Sequence, residues 1–421
     1  MILRFQISGL EISDFGIGDC RFFDCRFINQ KSEIDKSKIP QSKIKNSSIK
    51  NSSIKNQKSL NQKSFNQKSE NRQIINSMTN KYISHWRCPS NIAIVKYWGK
   101  KENQIPCNAS LSLTLSESYT ELKARLEEKT NDDEISLTYF FEGERNAAFE
   151  AKFLKFLSKH QVNFPFLKTH HLVLESSNSF PHSTGIASSA SAFGALALVL
   201  CDFYEQTQGK PISENWQQTA SHFARLGSGS ACRSIFPSWA QWGQIDADNA
   251  SSNEYAIPIT EVHDNFKIMH DAVLIVDDEP KKVSSTAGHA LMNKHAYAEA
   301  RFVQANQRVT ELREILKSGD LDAFVSLTES EALTLHAMMM TSADYYLLMR
   351  PNTIAVIEKI FAFREQSKVP ICFTLDAGPN IHLLYPEVYK TEVENFIRHE
   401  LSDLVKSIIF DRVGQGPKKL T

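Results

Sequence analysis

The chain has 421 residues, 41% apolar and 23% charged, and its 48 Lys/Arg balance 48 Asp/Glu. That length allows two domains with a sizeable core, and a net charge of zero gives no overall field for nucleic acid or an anionic membrane. The balance is uneven: residues 1–80 carry 14 basic and 7 acidic residues, a net of +7 that the remainder offsets.

The first stretch reads differently from the rest. Asn46-Ser-Ser-Ile-Lys50 repeats as Asn51-Ser-Ser-Ile-Lys55, and three Asn-Gln-Lys-Ser units follow from Asn56 to Glu70. A period of five suits neither helix nor strand, and the Asn, Lys, Ser and Gln composition offers too little apolar surface to offset the entropy of ordering. Residues 1–80 are expected to be a disordered, low-complexity extension. A basic nucleic-acid-binding tail is one alternative. A start of translation at Met78 is the favoured explanation, and peptides from 1–77 in the native protein would refute it. The opening Met-Ile-Leu-Arg-Phe-Gln has charges interrupting any apolar core, so it is not a signal peptide. The longest apolar run, around Phe193–Phe203, is broken by Gly194 and Asp202 and falls short of a bilayer span. Seven scattered cysteines without a C-x-x-C suggest neither a zinc site nor a disulfide framework, and fit a reducing cytosol.

Order is expected from Tyr82. Ile83–Cys88 reads as a strand, then Pro89-Ser-Asn91 and a second apolar stretch into Lys96-Tyr-Trp-Gly99. Leu111–Leu115 and Thr120–Leu126 alternate with period two, and Ile135–Phe141 is expected to pair with the latter. Ala148–His160 is helical, Leu172–Leu174 a strand. The loop Pro181–Ala190 runs into a buried helix, Trp216–Leu226 is a further helix ending at Gly227, and Trp239–Trp242 is a strand. A boundary is expected near Asn253–Asn265. Beyond it come a strand at Ala272–Val276, helices over 284–318, 320–338 and 352–367, strands at Ile371–Leu375 and Ile381–Leu384, a helix over Glu387–Leu401 and a closing strand at Ser407–Phe410. This is an α+β pattern, not a repeating βαβ array.

Four motifs could carry chemistry. The small-residue loop Pro181-His-Ser-Thr-Gly-Ile-Ala-Ser-Ser-Ala190 opens a helix, whose N-terminus offers free N–H groups and a positive dipole end to a phosphate. Tight helix–sheet packing would explain the same small residues. Lys96, among apolar and aromatic neighbours, is costly if it points inward without an anion, and ordinary if it lies at a surface edge. In Arg225-Leu-Gly-Ser-Gly-Ser-Ala-Cys-Arg-Ser234, Arg233 lies one helical turn beyond Ser230, so both can face one pocket; a capping loop with a surface arginine is the bland reading. Asp376-Ala-Gly-Pro-Asn380 puts an acid at a strand end, as a positioned catalytic carboxylate or as a turn organiser. Together these describe a phosphoryl-transfer site for an anionic substrate.

Asn91-Ile-Ala-Ile-Val-Lys-Tyr-Trp-Gly-Lys100, Ser188-Ser-Ala190, Gly227-Ser-Gly-Ser-Ala-Cys-Arg-Ser234, Val283-Ser-Ser-Thr286 and Asp376-Ala-Gly-Pro-Asn380 resemble the diphosphomevalonate decarboxylase family of the GHMP kinase superfamily. The resemblance covers about residues 83–411. It implies a GHMP kinase fold, with a domain like the second domain of ribosomal protein S5 over 81–262, a ferredoxin-like domain over 263–411 and a tail at 412–421. It implies conversion of mevalonate 5-diphosphate and ATP to isopentenyl diphosphate, ADP, phosphate and carbon dioxide, with Mg²⁺. The enzyme would be a carboxy-lyase of the mevalonate route to isoprenoids, a cytoplasmic homodimer with no nucleic-acid or membrane partner.

By resemblance Asp376 orients the C3 hydroxyl and takes its proton, and Lys96 neutralises charge at the transferred phosphoryl group. Arg233 holds the substrate carboxylate, with Asn91 beside it. Ser228 and Ser230 contact substrate, and Tyr97 and Trp98 shape its pocket. Gly185, Ala187, Ser188, Ser189 and Ala190 form the ATP loop, Ser188 and Ser189 also reaching the metal, and Lys281 or Lys282 closes on the phosphates. Pro237-Ser238 stands where many members have Gly-Gly. No residue clearly matches the family's diphosphate-gripping base; Lys152 and Arg145 are the candidates. Rival readings are a decarboxylase or 3-kinase acting on mevalonate or its 5-phosphate, a simple GHMP kinase, and a non-catalytic nucleotide-binding module.

Overall fold

The computed structural model describes residues 81–129, 134–181, 186–246, 248–279 and 285–421. The extension 1–80, Gly185, Lys281 and Lys282 lie outside them.

Strands β1 (Tyr82–Val95) and β2 (Ser110–Glu128) form one long antiparallel ladder where four shorter strands are expected. The register slips between Pro89 and Asn91 and again between Ala93 and Val95. A bulge accommodates the proline, whose missing N–H would otherwise break the ladder. Where β2 has no β1 partner between Thr114 and Tyr119, the Asp411 carboxylate accepts instead from the backbone N–H groups of Ser116, Glu117 and Ser118 at 2.7–2.8 Å.

Strand β3 (Leu137–Phe141) leads through β4 (Glu144–Arg145) and helix α1 (Ala147–His160) to β5 (His170–Asn178). The expected pairing of β3 with β2 does not occur. β5 lies antiparallel to β2 from Thr120 to Glu128, and β3 lies parallel on its far side. The full-length ladder available to the longer strand outcompetes the five-residue one. β6 (Trp239–Trp242) pairs with the start of β2, and β7 (Ala256–Ile259) pairs with β6, so a strand occupies the expected boundary stretch.

Helix α2 (Ser188–Gln208) is buried on nearly every face from Ala190 to Phe203, and that stretch is almost wholly apolar, as a helix segment enclosed on all sides must be. It packs on β1, and Gly194 is needed there: a Cβ would stand 2.5 Å from the Cys88 sulfur. Its one charged core residue, Asp202, accepts from Ser84 Oγ at 2.6 Å and pairs with Lys419 Nζ at 2.6 Å. Helix α3 (Trp216–Gly227) is N-capped by Asn215 and runs into a 3₁₀ segment, Gly229–Ile235.

A second, four-stranded antiparallel sheet has the order β11–β8–β10–β9, with β8 Met269–Ile275, β9 Cys372–Leu375, β10 Ile381–Pro386 and β11 Ser407–Arg412. Helices α4 (Ala298–Ser318), α5 (Leu321–Met340), α6 (Pro351–Ser367) and α7 (Lys390–Phe396) accompany it. The single helix expected over 284–318 is three pieces: Ser285–Ala290, a 3₁₀ turn at Leu291–Lys294, and α4. The break falls where His295 Nδ1 takes the Tyr297 N–H and competes with helix continuation. The helix expected over Glu387–Leu401 likewise begins as 3₁₀ and ends as a π turn. After β11 the chain returns to the first sheet, where β12 (Lys418–Lys419) pairs with β1. No helix among the described residues is long and apolar enough to cross a membrane.

Candidate active site

The end of β1, the start of α2, the turn after α3 and the end of β9 converge on a cavity of about 330 Å³. Lys96 leaves β1 at its base and is only 1% exposed. Its Nζ lies 3.1 Å from Asp376 Oδ1. Burial pushes the lysine pKa down, and the Asp376 carboxylate opposes that shift. The backbone is pinned as well: the Lys96 N–H donates to Glu331 Oε2 at 2.9 Å, and its carbonyl accepts from Asn108 Nδ2 at 2.9 Å. Glu331, wholly buried on α5, meets Arg301 at 2.7 Å and Arg308 at 2.6 Å. Against the burial that would raise it, these guanidiniums hold its carboxyl below the usual range.

The two readings of Asp376–Asn380 divide between its ends. Asn380 organises the turn, its Oδ1 accepting from the N–H groups of Val276 and Asp277 at 2.8 and 2.9 Å. Asp376 directs its carboxylate at Lys96, while its carbonyl accepts from Gly378 N–H at 2.7 Å and lies 3.1 Å from His336 Nε2. Burial pushes the His336 pKa down to about 4, so the ring is neutral near pH 7.

Arg233 is 2% exposed in the 3₁₀ segment after α3. It donates to Ser110 Oγ at 2.5 Å, Ser112 Oγ at 2.9 Å and Asn91 Oδ1 at 3.3 Å. Asn91 turns its amide to Ser230 O and Ser234 Oγ, at 3.1 and 2.8 Å. Among the described residues no carboxylate lies within ion-pair distance of Arg233. A guanidinium buried with hydroxyl and amide partners but no counter-charge is prepared for an anion.

The helix-start loop and the Gly-Ser-Gly-Ser turn come together, with Ser189 Oγ and Ser228 Oγ 3.2 Å apart. Ala187, Ser189, Ser228 and Ser230 line the cavity, whereas Ser188 and the buried Ala190 do not. The N-cap, Ala187, has no side-chain acceptor for the first N–H groups of α2, which suits a phosphate at that position. Tyr97 and Trp98 line the wall. Gly99, with φ 97°, turns the chain so that Lys100 also faces the cavity, and its N–H donates to His289 Nδ1 at 3.0 Å.

Of the two candidates for gripping a diphosphate, Lys152 lines the cavity and Arg145 does not. Arg145 is taken by Glu150, at 3.1 and 2.8 Å. Among the described residues the cavity wall thus carries Lys96, Lys100, Lys152 and Arg233 against a single carboxylate, Asp376. Such a wall accepts a polyanion.

Residues 88–253 match the model of the diphosphomevalonate decarboxylase-like N-terminal domain, and residues 272–415 match that of the mevalonate 5-diphosphate decarboxylase C-terminal domain. The chain belongs to the diphosphomevalonate decarboxylase family. It is 30% identical to the diphosphomevalonate decarboxylase of Ganoderma lucidum, over 79% of this chain and 94% of that one. The enzyme of the same name from Saccharomyces cerevisiae is 28% identical over 75% and 81% of the two chains. Among solved structures, the Staphylococcus aureus mevalonate diphosphate decarboxylase superposes with a TM-score of 0.70 at 26% identity, covering 80% of this chain and 98% of that one. A complex of MDDEF with MVAPP, AMPPCP and magnesium superposes with a TM-score of 0.67 at 25% identity, covering 80% and 98%.

Within this decarboxylase fold, four residues of the site were not visible in the sequence: Glu331, His336, His289 and, as a cavity residue, Lys100. Glu331 and His336 look like ordinary helix positions until α4 and β9 are packed against them. His289 had one signal, its place just after Val283-Ser-Ser-Thr286.

Proposed function

We infer that the protein catalyses ATP-dependent decarboxylation of mevalonate 5-diphosphate to isopentenyl diphosphate, in the mevalonate route to isoprenoids. The observation that carries this reading is the juxtaposition of the Lys96–Asp376 pair with a buried Arg233 that has no carboxylate partner among the described residues. A kinase needs the first; a decarboxylase must also hold the carboxylate it expels.

The roles are those the family resemblance implies, and the positions of these side chains around one cavity support them. Asp376 holds the C3 hydroxyl and takes its proton as the γ-phosphoryl group of ATP is transferred to that oxygen. Lys96 places its charge beside the transferring group. Arg233, with Asn91 supporting it, binds the substrate carboxylate. The C3–O bond then breaks and phosphate leaves. The electrons of the bond to the carboxylate form the alkene, releasing carbon dioxide. Ser228 and Ser230 address the substrate, Lys100 and Lys152 its diphosphate, and Tyr97 and Trp98 exclude water.

Ala187, Ser189 and the first N–H groups of α2 receive the ATP phosphates. Gly185, Ser188, Ala190, Lys281 and Lys282 belong to the same ATP assignment. Mg²⁺ supplies charge neutralisation on those phosphates. Ser188 and Ser189 are the hydroxyls assigned to it; of the two only Ser189 lines the cavity, so Ser189 and the phosphate oxygens would be its ligands there.

The reading includes a division into domains at 81–262 and 263–411 and a cytoplasmic homodimer. Cysteines 88, 107, 201, 232 and 372 are free thiols, which supports a reducing compartment; light scattering tests the dimer. Product identification tests the function. Isopentenyl diphosphate and carbon dioxide from mevalonate 5-diphosphate with ATP are expected. Phosphorylated product without carbon dioxide, or preference for mevalonate or its 5-phosphate, would overturn it.

A further inference from the structure

His289 has no part in the roles above, yet its surroundings are those of a ligand-binding group. Its ring is wedged between Tyr97 and Trp98, with centroids 4.3 and 4.8 Å away, is 7% exposed, and lines the cavity. Nδ1 accepts the Gly99 N–H at 3.0 Å. A backbone N–H can only donate, so Nδ1 must present its lone pair, and in a neutral ring the proton sits on Nε2. The ring is neutral: burial, with help from the Lys100 charge, pushes its pKa down to about 3. Among the described residues no protein acceptor meets the Nε2–H.

A second unmet group lies alongside. The Tyr97 hydroxyl is buried without a hydrogen-bond partner, on a ring tilted 41° against that of His289. Lys100, whose charge His289 feels, and Lys152 line the same cavity, and neither has a carboxylate partner among the described residues. Two neutral donors without acceptors and two ammonium groups without counter-ions call for a ligand with many anionic oxygens. The carboxylate end of the substrate is provided for by Arg233, and the ATP phosphates by the start of α2.

We propose that His289 is a substrate-binding residue whose Nε2–H donates to an oxygen of the substrate's diphosphate. The two nitrogens then have separate tasks: Nδ1 fixes the turn at Gly99 that presents Lys100, and Nε2 reads the phosphate. A neutral donor suits this position, because it adds a directional contact without further crowding of positive charge. The proposal rests on the reading of mevalonate 5-diphosphate as substrate.

Two substitutions separate the tasks. Asn can accept the Gly99 N–H in place of Nδ1 but has no atom at the Nε2 position; Gln can place an N–H near Nε2 but gives up the Gly99 contact. Steady-state kinetics and calorimetric binding of mevalonate 5-diphosphate without ATP are measured for wild type, His289→Asn and His289→Gln. A hydrogen bond to a charged oxygen predicts a loss of about tenfold or more in KM and in affinity for His289→Asn. KM for ATP should stay within about twofold, and His289→Gln, which loses the Gly99 contact but keeps an N–H near Nε2, should lose clearly less for the diphosphate than His289→Asn. Equal affinity in wild type and His289→Asn, or a larger loss in Gln than in Asn, would overturn the proposal and leave His289 a wedge for the turn. Wild-type enzyme that binds the diphosphate but releases no carbon dioxide would overturn the functional reading alone.

Discussion

Arg233→Gln separates a residue kept for folding from one kept for a ligand. In the free protein the guanidinium is 2% exposed and is held by Ser110, Ser112 and Asn91. Burying an ion without a counter-charge costs several kcal/mol even after relaxation. Its hydrogen bonds return about 1.5–3 kcal/mol each. The two nearly cancel, so Gln, which carries no charge, should change the unfolding free energy of the ligand-free protein by no more than about 1 kcal/mol. On the proposed reading, substrate binding gives Arg233 the carboxylate it lacks. Removing one member of a buried pair then costs about 3–5 kcal/mol. That corresponds to a fall in kcat/KM of about a hundredfold to several thousandfold. Carbon dioxide release gives the rate, and thermal unfolding with and without mevalonate 5-diphosphate gives the stability. Wild type should gain stability from the ligand and the variant little. A variant that unfolds well below wild type yet retains its turnover would refute the argument and make Arg233 a structural residue.

Asp376→Asn keeps the size of the side chain but cannot take a proton, so turnover should fall by about 10²–10⁴ with ATP affinity nearly unchanged; equilibrium nucleotide binding and single-turnover rates check both halves. Lys152→Ala should raise KM for mevalonate 5-diphosphate by about three- to tenfold, as loss of an exposed charge contact implies, whereas Arg145→Ala, which frees only Glu150, should not; steady-state kinetics of the pair decide. His336→Gln should flatten the acid limb of stability. With the folded pKa of His336 near 4 and the unfolded one near 6.5, the unfolded chain binds the extra proton first, so stability is lost as pH falls below about 6.5. Each pH unit below that point should destabilise wild type by about 1.4 kcal/mol more than the variant, measured by urea unfolding between pH 7 and 5.

Lys96, Arg233 and Asp376 were legible in the sequence because each breaks a local rule within a few residues: a charge in an apolar strand, an arginine in a glycine-serine turn, an acid at a strand end. Glu331 breaks no local rule. Residues 328–332, Thr-Glu-Ser-Glu-Ala, read as a solvated helix face, and only Arg301 and Arg308, brought over from α4, make a buried carboxylate tolerable there. The choice between Lys152 and Arg145 was hidden for a similar reason. Both look free in sequence, and the short connection from β4 into α1 gives Arg145 to Glu150. Strand identity was read well, but strand neighbours were not. β5 took the place beside β2 that β3 was expected to hold, because pairing depends on the total ladder each strand can form. The break at His295 depended on one side chain outbidding a backbone carbonyl for an N–H.

The Lys96–Asp376 pair has a consequence for how stability and chemistry are linked. Asn91, Ser189, Ser228 and Arg233, which would grip the ligands, all come from the part of the chain that builds the first sheet. Asp376 comes from the end of β9 in the second. The 3.1 Å between Lys96 and Asp376 is therefore set by whatever fixes one sheet to the other. An apolar cluster contains Ile92, Leu111 and Leu113 of the first sheet together with Val273, Ile275 and Leu384 of the second, and polar contacts add direction to it: Glu331, with Arg301 and Arg308, holds the Lys96 backbone; Asp411 caps the N–H groups of Ser116–Ser118; and Gly414 N–H donates to Thr114 O at 2.7 Å, ahead of β12 on the edge of β1. Buried ion pairs add little net stability compared with apolar residues of the same volume, because desolvation consumes the Coulombic gain. What they add is geometry. Replacing Glu331 alone by leucine would leave the buried Arg301 guanidinium without its counter-charge, at a cost of about 3–5 kcal/mol, and no leucine accepts the Lys96 N–H. The Glu331 carboxylate therefore has two tasks at once: it keeps Arg301 and Arg308 paired, and it places the lysine.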